Sequence, residues 1–365
     1  MEKVFRRCLS SRTYVMQAWQ ATDTTGIKLE TVPLPTMKKS SQVLIKVKAS
    51  SVNPLDVQMA KGYGRDLLGK WKKADSCDLA TSHFPVIPGR DCSGTVVAVG
   101  GGVHDFVPGD EVIAVVPAIL QGTHAEYVVT EADYCAAKPR NLSFTEAAAL
   151  PYVASTAYSA LVNFARVDPK NVGRTRVLIH GGAGGVGSMA IQLLKAWGVD
   201  KVVATCSSDS FEAVQKLGAI PVDYRCPQAT DKLAALAPFE VVLDTVDSEL
   251  SRWSDNVMGV WRNCVHASIV SPLLNDTDRY GTPQGLLSTA FKHFNRSFQS
   301  SLRGRWYTYA FFMPSKNCMR QLADLAEEGK VVPIVERVVP FSEITDAYEK
   351  VGLLKGRGKT IIEMR

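Results

Sequence analysis

The sequence predicts an α/β protein in two parts, a compact β-rich barrel or sandwich followed by a doubly wound parallel sheet. Three observations carry that expectation. Up to about residue 150 the apolar segments are short, β-branched and punctuated by Gly and Pro. From about residue 176 strands alternate with helices, and a glycine-rich turn joins the first strand and helix of that series. At 365 residues, 46% hydrophobic and 21% charged, the chain has ordinary globular usage and the length of about two domains.

Residues 1–13 hold Lys3, Arg6, Arg7 and Arg12 against Glu2 alone, a net +3 out of the chain's +6. Ser10, Ser11 and Thr13 add hydroxyls, and Val4, Phe5 and Leu9 offer an apolar face. That is the make-up of a mitochondrial presequence, and the apolar core of a secretory signal does not follow it. The remaining charge forms no basic stripe, which excludes an extended nucleic-acid surface. No uncharged apolar run reaches the roughly 18 to 20 residues of a membrane-spanning helix. Eight cysteines are scattered without a C-x-x-C pair, the pattern of reduced core thiols rather than of a zinc ribbon.

Residues 43–48, 94–100, 110–116 and 125–129 read as strands separated by turns such as Pro108-Gly109-Asp110. Between about 145 and 165 the texture becomes that of a helix broken at Pro151. Strands at 176–180, 201–205 and 240–244 then alternate with helices at 188–197 and 211–217, and repeated βα units imply a parallel sheet. The tail adds a helix at 316–328, a strand at 331–339, a helix at 341–351 and a strand at 359–364.

The most informative motif follows the strand at 176–180, where Gly182, Gly184 and Gly187 stand in G-x-G-x-x-G spacing. Glycines there permit a tight turn, close backbone approach to a pyrophosphate, and helix-on-strand packing; the helix N-terminus then holds the anion. The next strand ends in Thr205-Cys206-Ser207-Ser208, with no acid to hold a ribose 2′-hydroxyl. Small hydroxyls leave room for a 2′-phosphate, with Tyr224 and Arg225 placed to supply a phenol and a cation, so NADPH is the expected cofactor. The alternative is that Asp209 fills the acidic role one turn later.

Five ordered motifs carry a family resemblance: Val52-Asn53-Pro54-Leu55-Asp56; Pro88-Gly89-Arg90-Asp91-Cys92-Ser93-Gly94; Pro108-Gly109-Asp110-Glu111-Val112; Gly122-Thr123-His124-Ala125-Glu126-Tyr127; and the glycine loop. With them the chain resembles the medium-chain dehydrogenase/reductase superfamily, in its zinc-free quinone oxidoreductase branch. The resemblance implies a GroES-like catalytic domain over 14–150, completed by 311–365, and a Rossmann domain over 151–310, with the nicotinamide in the cleft between them. It places NADPH contacts on Ala183, Gly184, Gly185, Val186, Gly187, Ser207, Tyr224, Ile269, Phe311, Phe312, Arg357 and Gly358. The branch often has Ser where Ala183 stands, which leaves phosphate contact there to backbone amides. It also implies a mitochondrial matrix location, a role in ubiquinone metabolism, a homodimer and a reticulon-like membrane protein partner.

Zinc-dependent relatives carry Cys in the segment 53–56 and Gly-His-Glu where this chain has Gly89-Arg90-Asp91. Arg90 cannot ligate a cation and Asn53 is a poor substitute for a thiolate, so no catalytic metal is expected. Two residues are candidates for chemistry. Asn53 can donate a hydrogen bond to a carbonyl or to the nicotinamide amide, and Tyr63 can donate to a quinone oxygen or relay a proton. Each has a plainer reading, Asn53-Pro54 as a turn and Tyr63 as a cover over its loop. Asp56 and Asp91 are expected to be structural, capping turns or pairing with Arg90, and His180 to be a packed residue beside the loop. Three functions follow: an NADPH-dependent quinone reductase, a 2-enoyl thioester reductase, or an NADPH-binding partner or assembly protein with little turnover.

Overall fold

The computed structural model describes residues 14–76, 82–260, 263–354 and 356–364; the expected presequence lies outside them. Fifteen strands are present among these residues. β1 (Val15–Gln20) and β2 (Lys28–Pro33) form a two-stranded antiparallel ribbon. β3 (Gln42–Val52), β4 (Asp91–Val99), β5 (Glu111–Val115), β6 (Tyr127–Glu131) and β7 (Cys135–Ala137) make most of a GroES-like sheet. That sheet is completed from far along the chain by β14 (Val335–Pro340) and β15 (Lys359–Glu363), in the order β14-β15-β3-β4-β5-β7 with β6 on β3. Between them lies a six-stranded parallel sheet of β8 (Arg176–His180), β9 (Lys201–Cys206), β10 (Ile220–Asp223), β11 (Val241–Asp244), β12 (Val265–Ser268) and β13 (Trp306–Tyr309), ordered β10-β9-β8-β11-β12-β13.

The parallel strands read as continuous apolar runs because helices cover both faces. Val177, Leu178 and Ile179 of β8 and Val241, Val242 and Leu243 of β11 are all buried. One core joins the two sheets: Ile113 and Val115 of β5 pack in the same cluster as Val177, Ile179, Leu193, Met319 and Leu322. Each such aliphatic contributes about 1.5–3 kcal/mol on burial, so the cleft between the sheets is set by a shared apolar floor rather than by a hinge of loops.

The α/β architecture is as the sequence predicts, with shifts at the edges of elements. The broken helix is real: Phe144–Ala147 is separate from Pro151–Tyr158, which runs on into a π-helical turn, Ser159–Phe164. The strand expected at 125–129 is β6, two residues later, because Ala125 bridges Ala18 instead. The strand expected at 331–339 begins only at Val335, since Gln192 clasps Val332 through both its amide atoms (2.8 and 3.2 Å) and Pro333 has no N–H for a ladder. Two helices that the sequence reading did not place, Leu273–Tyr280 and Thr282–Ser301, fill the connection between β12 and β13. Among the described residues, no helix is long and apolar enough to cross a membrane.

Candidate active site

The glycine loop sits between β8 and the helix Gly185–Ala196. Gly181 takes φ +83°, a conformation that side chains resist, and with Gly182 it donates to Thr205 O (3.2 and 2.9 Å). Two glycines of the motif are required by packing. A Cβ on Gly182 would fall 2.5 Å from the Ala204 side chain, and one on Gly187 would fall 2.2 Å from Gly181 O. Gly184 and Gly185 are exposed, yet a Cβ would still be tight at both, 3.3 Å from Gly181 O at Gly184 and 3.2 Å from the Val153 side chain at Gly185, with Lys359 Cδ at 3.8 Å. No side chain caps this helix, so its first-turn amides are left to an external acceptor. Such a cradle fits a dinucleotide pyrophosphate.

The other expected cofactor residues lie on connections leaving the carboxyl ends of parallel strands, where ligands of doubly wound sheets bind. Ser207 follows β9, its hydroxyl 3.3 Å from that of Ser210. Tyr224 follows β10, is exposed, and accepts from Arg225 Nε at 3.2 Å. Asp209, the alternative acid, pairs with Arg357 at 3.5 Å. Ile269 and the Phe311-Phe312 pair follow β12 and β13, with Ser159 donating to Phe311 O (2.7 Å) and Phe312 stacked on Tyr152 at 5.0 Å. Ala183 and Val186 pack half-buried against the core, and Gly358 lies against the backbone at the start of β14, where a Cβ would meet Ile334 O at 2.8 Å and Glu336 N at 2.9 Å.

Asn53 stands at the N-terminus of the helix Pro54–Ala60, buried in a polar network. Its Nδ2 donates to Asp91 (3.1 Å) and Asp56 (3.1 Å), and its Oδ1 accepts from Lys359 Nζ at 2.5 Å. Asp91 also accepts from Ser51 (2.5 Å) and from the Tyr152 amide (3.2 Å), and lies 3.8 Å from Lys359. Arg90 is wholly buried, donating to the carbonyls of Ile87, Pro117 and Leu120, with Asp56 3.6 Å from its Nε. Asp56 therefore pairs with Arg90 as the sequence suggested, whereas Asp91 pairs with Lys359 instead. Burial lowers the pKa of Lys359, against the pull of Asp91 and Asp56, and raises those of both carboxyls, against the pull of the cations.

Lys359 is the candidate site residue that sequence reasoning passed over. It comes from β15, yet it is buried between Asn53 and the glycine loop, its Cδ within 3.8 Å of where a Gly185 side chain would begin. The visible signal was a lysine among the glycines of 356–360, a segment read only for Arg357 and Gly358. His180 is packed as expected, between Thr205 and Ser254, and burial pushes its pKa down to about 4. Among the described residues no group of three or more His, Cys, Asp or Glu is arranged to hold a metal ion.

Tyr63 is half-buried in the loop ahead of the helix Arg65–Ser76. Asp278 binds that loop through the amides of Gly64 (2.6 Å) and Asp66 (3.0 Å). Burial, and then the Asp278 charge, raise the Tyr63 pKa, which keeps the phenol protonated and able to donate.

Residues 39–140 match the alcohol dehydrogenase GroES-like domain and residues 217–362 the family described as zinc-binding dehydrogenase. The reticulon-4-interacting protein 1, mitochondrial, of Caenorhabditis elegans is 63% identical over 99% of this chain and 98% of its own length. The human NAD(P)H oxidoreductase RTN4IP1, mitochondrial, is 38% identical over 97% of this chain and 91% of its own. Among solved structures, the quinone oxidoreductase from Coxiella burnetii superposes with a TM-score of 0.75 at 28% identity, over 96% of this chain and all of that one.

Proposed function

The chain belongs to the medium-chain dehydrogenase/reductase superfamily, and from that premise we propose that it is a mitochondrial, zinc-independent oxidoreductase that uses NADPH to reduce a quinone-type acceptor. The observation that carries the reading is the uncapped helix start at the exposed Gly184 and Gly185, with the buried Lys359 side chain beside it. The zinc-free reading rests on Arg90 and Asn53, neither a usable ligand, both already engaged with carboxylates.

When bound, the nicotinamide supplies the hydride. The chain's own residues do the placing. The bare amides of the helix Gly185–Ala196 hold the pyrophosphate, and Lys359 adds a positive charge on the same side. Asn53 is fixed by Lys359, Asp56 and Asp91. Phe311 and Phe312, braced by Phe164 and Tyr152, wall the cleft and exclude water. Tyr63, held as the neutral phenol, donates to the acceptor oxygen as charge develops there.

The direct test is oxidation of NADPH and, separately, NADH by the purified protein with a short-chain ubiquinone analogue. Turnover that strongly favours NADPH is the expected result; saturable NADPH binding with no turnover on the quinone would refute the acceptor assignment. Preference should reside at the end of β9. Ser207→Asp places a carboxylate against the 2′-phosphate and is expected to raise KM for NADPH about tenfold or more while leaving that for NADH within about twofold. Equal effects on both cofactors would remove Ser207 from the phosphate site.

A further inference from the structure

A cavity of about 690 Å³ lies on the β11-β12-β13 side of the parallel sheet, between the segments that follow β11 and β12 and the helix Thr282–Ser301. Five cations line it, Arg252, Lys292, Arg296, Arg303 and Arg305, against two carboxylates, Asp247 and Asp255. Most of that charge is already engaged. Arg252 pairs with Asp247 at 3.0 Å, Lys292 with Asp276 at 2.8 Å, and Asp255 with His266 at 2.6 Å. Arg305 donates to the main-chain carbonyls of Gly259 and Asp255.

Arg296 and Arg303 differ, with no carboxylate paired to either among the described residues, and Arg296 is the more enclosed of the two. Its guanidinium lies 3.9 Å over the ring of Tyr307, with Nη2 buried and without a hydrogen-bond partner. Two further buried atoms without partners, His266 Nε2 and His293 Nδ1, belong to rings 5.3 and 6.2 Å from that of Tyr307. Half of the six such atoms among the described residues thus surround one tyrosine on the cavity wall. What bears on the cavity itself is that Arg296 and Arg303 line it with no carboxylate paired to either among the described residues, which leaves two guanidinium groups there for an anion.

We propose that this cavity is a phosphate-binding site, with Arg296 and Arg303 as the anion's partners. Guanidinium forks match phosphate oxygens in pairs, and walls carrying four carboxamides suit a polar ligand rather than an apolar quinone. The site is separate from that of the cofactor's 2′-phosphate. Ser207 leaves β9, three strand spacings or about 14 Å across the sheet from β12. The phosphate comes either from a soluble metabolite or from a lipid headgroup. The second source is raised by the same helix, which has no acidic residue and exposes Leu287, Phe291, Phe294 and Phe298.

The experiment uses the NADPH-saturated protein, so that the glycine loop is occupied. One arm titrates inorganic pyrophosphate by calorimetry; the other floats the protein with phosphatidylcholine vesicles with or without phosphatidate. Saturable binding is expected in at least one arm, weakened about tenfold or more in Arg296→Met and in Arg303→Gln, with NADPH affinity unchanged. Arg303 is exposed, so its substitution leaves the fold intact. If vesicle binding falls in Phe294→Ser while pyrophosphate binding persists, a lipid headgroup is the source. Binding in neither arm, or binding undiminished in both arginine variants, overturns the proposal.

Discussion

Gly187→Ala is expected to weaken NADPH binding by about a hundredfold or more, equivalent to about 2.7 kcal/mol. The new methyl would sit 2.2 Å from Gly181 O and 2.9 Å from Gly182 Cα, and both obstacles are backbone. A flexible side chain would swing aside. Backbone cannot, so the helix Gly185–Ala196 must back away from β8, carrying with it the amides that hold the pyrophosphate. The core beneath is large and continuous, so thermal melting is expected to drop by only a few degrees while fluorescence titration loses the cofactor. Affinity within threefold of the parent would show that the close approach of helix and strand does not position the cradle.

Asp56→Ala is expected to destabilise the protein by about 3–5 kcal/mol in urea unfolding, because it strands a buried guanidinium. Among the described residues Arg90 has one carboxylate within 4.0 Å, Asp56, and its Nε has no hydrogen-bond partner. Asp56 in turn holds the Asn53 amide (2.8 Å) and the Gly89 amide (3.0 Å), so its loss loosens both motifs of the cleft. The double variant Asp56→Ala with Arg90→Met is expected to recover much of the stability, since apolar replacement of a buried ion pair is often close to neutral. A double variant no more stable than the single one would mean that Asp56 acts through the loop amides and not through the charge of Arg90.

How legible these features were in the sequence follows from the range of the interactions that make them. The glycine loop was readable because its spacing is local, with Gly187 pressed against Gly181 and Gly182, although Gly182 itself is constrained by Ala204 on the neighbouring strand. Pro151 announced its own helix break. The likeness of Asn53 and Arg90 to the zinc-free branch was readable by position, but the reason for their burial was not. Lys359 meets Asn53 across 306 residues, and no periodicity encodes a contact of that span. The helix Thr282–Ser301 carried its own signal, with Leu287, Phe291, Phe294 and Phe298 at helical spacing, and was passed over; what the periodicity does not encode is that this apolar face is exposed.

β15 completes the first sheet by pairing with β3, Ile361 opposite Ser51 and Thr360 opposite Val52. During synthesis β3 leaves the ribosome some 300 residues before its partner exists, an interval on the order of tens of seconds at translation rates of about 5–20 residues per second. Throughout that interval the four residues Ala49–Val52 of β3 lack their β15 partner, while β6 already pairs with Gln42–Lys46, and the Asn53 network lacks its ammonium. The parallel sheet between them must fold as an insertion into an unfinished host. Maturation of the cleft is thereby timed to the arrival of β15.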